Sequence, residues 1–122
     1  MRTMKYYRIF NDSMGESHID EVEVEQSNIS PPIPPLKMSQ NLPAASYSFV
    51  TFPPKCDMGW HVAPAKQFAV MVSGIFEAES SDGNKVQLGP GSVCIMEDFT
   101  GKGHNAKNVG DGEAECLFIQ VP

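Results

Sequence analysis

Trp60-His61-Val62-Ala63-Pro64-Ala65-Lys66-Gln67 runs into Phe68-Ala69-Val70-Met71-Val72-Ser73 and stops at Gly74. Read as a strand, Gln67 to Ser73 places Gln67, Ala69 and Met71 on one face and Phe68, Val70 and Val72 on the other. An extended chain rises about 3.3 Å per residue, so His61 and Gln67 would stand about 20 Å apart in a single strand. Ala63-Pro64-Ala65 offers the turn that folds them back toward each other. A Gln on an otherwise apolar face needs a partner, because a buried amide left unpaired costs roughly 1–3 kcal/mol. A metal, a ligand, a water or His61 itself would serve.

The same two-residue period recurs on both sides of this stretch. Strands are expected at Tyr47–Phe52, Ile75–Glu79, Val86–Leu88, Ser92–Met96, His104–Val109 and Glu115–Val121. Pro53-Pro54, Asp82-Gly83-Asn84, Gly89-Pro90-Gly91, Gly101-Lys102-Gly103 and Gly110-Asp111-Gly112 mark the turns between them. Upstream, Glu21-Val22-Glu23-Val24-Glu25 alternates, with valines expected inward and glutamates in solvent. Pro31-Pro32-Ile33-Pro34-Pro35 reads as an extended connector. Ten Pro and ten Gly in 122 residues argue against long helices. Many short strands with glycine-rich turns predict an all-β barrel or jelly roll.

A chain of 122 residues allows one domain. Fifteen acids against nine bases leave a net charge of −6. That balance opposes broad contact with nucleic acid and a polybasic membrane anchor. No apolar run approaches the roughly 18 residues that span a bilayer as a helix. Acidic residues at Asp12, Glu16 and Asp20 interrupt any secretory core near the N-terminus. Three cysteines without paired spacing agree with a cytoplasmic location.

Familiar catalytic signatures are missing: no Gly-x-Ser-x-Gly, no His-Glu-x-x-His and no complete phosphate loop around Gly101-Lys102-Gly103. Cys94 and Cys116 sit inside apolar strands and read as core thiols; Cys56, between Lys55 and Asp57, is the candidate for an accessible one. His61 is either a core imidazole bonded to backbone or a site residue, and His104 carries the same choice. Trp60 either packs in the core or walls a pocket. Glu77 or Asp98 could supply a carboxylate to such a site, but both read first as solvated surface acids. His18, in the turn-like Gly15-Glu16-Ser17-His18, is expected in solvent unless the N-terminal segment reaches a pocket.

Two segments together resemble a known family. His61, Ala63, Gln67 and Gly74 follow the first motif of the cupins, with Ala63 where a second His belongs and Gln67 at the Glu position. Gly91, His104 and Asn108 match the ends of the second motif, whose middle is replaced by Glu97-Asp98-Phe99 and lengthened by two residues. The resemblance spans roughly Phe49 to Pro122 and implies a cupin-type double-stranded β-helix, a jelly-roll barrel. Residues 46–122 would form that barrel, and residues 1–45 an N-terminal extension packed on it or on a dimer partner.

The resemblance further implies a small molecule bound in the barrel mouth and a homodimer. Trp60, His61, Gln67, Met71 and His104 are the expected ligand-binding residues, with Met96 and Phe76 packing beneath. A divalent transition metal (Fe, Ni, Zn, Mn or Cu) would be held by His61, Gln67 and His104, giving a metal-dependent enzyme of dioxygenase, isomerase or lyase type. The alternative is a binding or accessory module that uses the same residues without metal and without catalysis.

Overall fold

The computed structural model describes residues 3–29 and 36–122; the proline-rich connector lies outside the described residues. Eleven strands and no helix are found among them. A six-stranded sheet is built in the order β2 (Ser17–Glu23), β1 (Lys5–Asn11), β9 (Val93–Glu97), β6 (Gln67–Ser73), β11 (Ala114–Gln120) and β5 (Ser46–Phe52). A three-stranded sheet runs β10 (His104–Asn108), β7 (Phe76–Ser80), β8 (Lys85–Leu88). A separate short hairpin joins β3 (Ser27–Ile29) to β4 (Leu36–Met38). The protein is a jelly-roll β-barrel, as its strand pattern predicted.

Alternation decides what each strand buries. Gln67, Ala69 and Met71 of β6 do share the inner face, and Ala69 and Met71 are buried. Ile9, Cys94 and Cys116 join them from neighbouring strands, while Phe76, Ala78 and Leu88 meet them from the smaller sheet. Phe52 contacts Phe76 edge-on with ring centroids 4.7 Å apart, which closes the apolar interior between the two sheets.

The N-terminal segment is built into the main sheet. Strand β1 pairs antiparallel with β2 and parallel with β9, opposing Ile9 to Met96. The register Ile9↔Ile19 sends Ser17 and Ile19 of β2 inward, and the strand then runs past the core. Val22 therefore lies on the outer face, half-buried opposite Tyr6, and not inward as its alternation with glutamates suggested. Glu21 and Glu23 are exposed.

The β1–β2 turn also grips the loop that precedes β10. Lys102 N donates to Gly15 O at 2.9 Å, Asn11 Nδ2 to Thr100 Oγ1 at 3.0 Å, and Ser17 Oγ to Gly103 O at 2.6 Å. Lys102 Nζ reaches Glu16 at 2.6 Å. His18 ties this turn to the β7–β8 turn, with Nε2 2.7 Å from Asp12 Oδ2 and Nδ1 2.9 Å from Asp82 Oδ2. Only an imidazolium donates to both carboxylates at once.

Hydrogen bonds to Asp12 and Asp82 raise the His18 pKa from its ordinary 6.5. Asp12 is lowered chiefly by His18 and Asp82 chiefly by Ser80, both from 3.8. The His18 contribution is complete below 6.5 and is lost as pH rises through the raised folded value. The aspartate contributions are complete above 3.8 and are lost as pH falls through the lowered folded values. The thermal midpoint of the wild type should exceed that of His18→Gln most near pH 5–6, with the difference shrinking toward pH 9. A difference independent of pH would contradict the two-carboxylate tie.

Candidate functional site

His61 and His104 face each other across an isolated antiparallel bridge. His61 N donates to His104 O at 3.0 Å, and His104 N to His61 O at 2.9 Å. A hydrogen-bonded cross-strand pair keeps its two side chains on one face. The two imidazoles accordingly lie with centroids 4.6 Å apart and planes tilted by 56°. Gly103 makes this approach possible: a Cβ there would overlap the His61 carbonyl oxygen, and its φ of +72° is one that side chains avoid.

Each ring is held through Nδ1. His61 Nδ1 lies 2.7 Å from the carbonyl oxygen of Gly59. His104 Nδ1 lies 2.6 Å from Asp98 Oδ2. Asp98 is 0% exposed, so it is no solvated surface acid; the loop carrying it folds under the His61 segment, and Ala63 N donates to its backbone oxygen at 3.0 Å. The other carboxylate oxygen, Oδ1, is buried with no hydrogen-bond partner. Glu77 is half-buried on β7.

Both imidazoles open onto an interior cavity of about 260 Å³. Gln67 and Met71 line it with them, and Met96 and Phe76 form part of its wall. Four of the five expected ligand-binding residues thus meet at one cavity. Trp60 is 51% exposed and stands outside the lining. The Gln67 amide makes no hydrogen bond to the described residues, and His61 spends its Nδ1 on Gly59.

Asn108 fixes the neighbouring turns, donating to Pro53 O at 3.0 Å and Gly112 O at 2.9 Å. His18 is occupied by Asp12 and Asp82, away from the cavity. Cys94 and Cys116 line the cavity as protonated thiols, pushed up by burial to about 12 and about 11. Asp98, one of the two acids that could supply a carboxylate, does so by bonding His104 and not by lining the cavity. The lining residue Met58 carries no signal in the sequence.

The donor set fits a resident metal poorly. A carboxylate behind a histidine is the arrangement that orients a metal-bound imidazole. Here, however, the set stops at two imidazoles and a neutral amide. Ala63 replaces a possible third imidazole, the thiols keep their protons, and Asp98 Oδ2 is committed to His104. Among the described residues no group of three or more His, Cys, Asp or Glu is arranged to hold a metal ion. A divalent ion would sit in an apolar cavity with no anionic ligand.

The barrel agrees with comparisons to known proteins. The model of the cupin domain matches residues 48–120, more than half of the chain. The chain belongs to the cupin domain family. No curated protein matches its sequence significantly. Among solved structures, this cupin is similar to a cupin domain from Bordetella pertussis Tohama I, at 20% identity and a TM-score of 0.50, covering 81% of this chain and 95% of that one. A predicted oxalate decarboxylase from Thermotoga maritima gives 19% identity and a TM-score of 0.51, covering 81% and 94%. A cupin domain from Schizosaccharomyces pombe gives 10% identity and a TM-score of 0.52, covering 98% and 83%. At these identities the likeness concerns the fold. No helix among the described residues is long and apolar enough to cross a membrane.

Proposed function

We propose that this cupin binds a small molecule inside its barrel, with His61 and His104 as the polar contacts and no resident metal. The observation that carries the reading is the pair of bridged imidazoles opening onto one apolar cavity of about 260 Å³. Such a cavity, apolar with a few convergent polar groups, is the usual form of a ligand site. Gln67 and Met71 belong to the same binding surface. If the bound molecule reacts, His104 backed by Asp98 is the group placed to exchange a proton with it, as isomerase or lyase chemistry requires.

Elemental analysis of untagged protein beside the His61→Ala, His104→Ala double variant tests the metal-free reading. Neither sample is expected to hold stoichiometric metal, even after metal is added back. Near-stoichiometric Fe, Ni, Zn, Mn or Cu in the wild type and none in the double variant would overturn it and restore His61, Gln67 and His104 as ligands. An NMR screen with small aromatic fragments tests occupancy, with shifts expected at Met71, Met96 and both histidines.

A second copy of the chain is the partner proposed for the outer sheet face. Strand β5, at the edge beside β11, reads Ser46-Tyr47-Ser48-Phe49-Val50-Thr51-Phe52 and carries no charge. Tyr47 is 72% exposed and Phe49 79%. The opposite edge, β2, carries Asp20, Glu21 and Glu23, so in a chain of net charge −6 the uncharged edge is the one suited to self-pairing. Sedimentation should give a dimer that Phe49→Lys shifts toward monomer; a wild-type monomer at micromolar concentration argues against this face. Three free cysteines support a cytoplasmic, reducing setting.

A further inference from the structure

The hydrogen bonds that hold the two imidazoles also define the chemistry they present. The Gly59 carbonyl oxygen can only accept, so the hydrogen of neutral His61 is on Nδ1. The Asp98 carboxylate oxygen likewise accepts, so His104 Nδ1 carries the hydrogen of that bond. In each neutral ring the remaining nitrogen, Nε2, is then a bare acceptor. Neither Nε2 makes a hydrogen bond to the described residues. Two acceptors on adjacent rings therefore share one cavity, where an unpaired polar group is costly.

The lining contains no Lys, Arg, Asp or Glu. A carboxylate or phosphate would meet two lone pairs, with the buried Asp98 behind one of them and no cation to offset its charge. An ammonium would lose its hydration among apolar side chains without an anionic lining residue. Neutral hydroxyls avoid both penalties, and a hydroxyl oxygen can accept in return from the Gln67 amide, which lines the same cavity.

An apolar cavity of about 150 Å³ already takes benzene, so about 260 Å³ has room for a substituted six-membered ring. We infer that the cavity selects an uncharged, compact apolar molecule carrying two adjacent hydroxyl donors, one for Nε2 of His61 and one for Nε2 of His104. This inference rests on the metal-free binding reading and names the ligand class for the same site.

Three probes of similar size separate the possibilities: catechol, its acceptor-only ether 1,2-dimethoxybenzene, and benzoate. Their dissociation constants are measured by NMR titration of the full chain in the presence of a chelator. Catechol is expected to bind at least tenfold more tightly than either of the others, because a site built for hydroxyl donors leaves its acceptors unpaired with the ether. The preference should fall to less than threefold in His61→Ala and in His104→Ala.

Long-range proton–nitrogen NMR should report both rings as Nδ1–H tautomers before catechol is added. Equal binding of all three probes, or tighter binding of benzoate, overturns the donor inference and leaves the cavity reading standing. A catechol preference that emerges only when metal replaces the chelator overturns both the donor inference and the metal-free reading. Binding of none of the three, and of no fragment in the wider screen, removes the cavity reading itself.

Discussion

Gly103→Ala is expected to destabilise the barrel by about 2–4 kcal/mol and to part the two imidazoles. Two effects add at this position. The φ of +72° is left-handed backbone that alanine adopts at a cost, and the new methyl would overlap the His61 carbonyl oxygen. Relief requires movement of the His61 segment, which breaks the paired bonds of 3.0 and 2.9 Å between His61 and His104. The bond from Ser17 Oγ to Gly103 O, at 2.6 Å, links the same residue to the N-terminal hairpin, so disturbance should spread to β2. Gly83→Ala is the control: its φ is +89°, yet nothing lies within 4 Å of the added Cβ. It should cost only about 1 kcal/mol of backbone strain. Urea unfolding of both variants measures the difference, and equal losses would show that the close approach to His61 contributes nothing.

Asp98→Ala should also be costly, with an expected loss of about 1–3 kcal/mol, because it leaves a buried hydrogen-bond donor without its acceptor. Its carboxylate is 0% exposed and bonds a ring whose side chain is only 3% exposed. Removing it leaves His104 Nδ1 without an acceptor in a region water does not reach. Asp98→Asn keeps the volume and one acceptor oxygen, and about half that loss is expected. A double-mutant cycle with His104→Ala isolates the pair, and a coupling above about 1 kcal/mol is expected for side chains in direct contact. A loss below about 1 kcal/mol for Asp98→Ala would mean that the pair is dispensable for the fold.

These two residues mark where the sequence was and was not legible. Strand β6 was read with the boundaries it has, Gln67–Ser73, because its apolar alternation is strict and it ends on a glycine. The cavity face followed from the same alternation, and Gln67, Ala69 and Met71 do line the cavity. Strand β1, Lys5–Asn11, was not read at all. Its Tyr6, Tyr7 and Phe10 are interrupted by Arg8, and it joins the main sheet by parallel pairing with β9, far along the chain. Asp98 looked solvated because it sits in a polar, glycine-rich loop. The fold buries it by laying the segment around Ala63 over it, held by the bond from Ala63 N.

By itself, then, the sequence determined the strand pattern and the family. Both are written in local periodicity and spacing, which neighbouring residues enforce on their own. Only the tertiary structure decided that the histidines stand as a bridged pair, that a buried carboxylate orients one of them, and that Trp60 stays outside the cavity. Burial and hydrogen-bond partnership belong to segments that meet only when the barrel closes, and no local pattern encodes which atoms water will still reach.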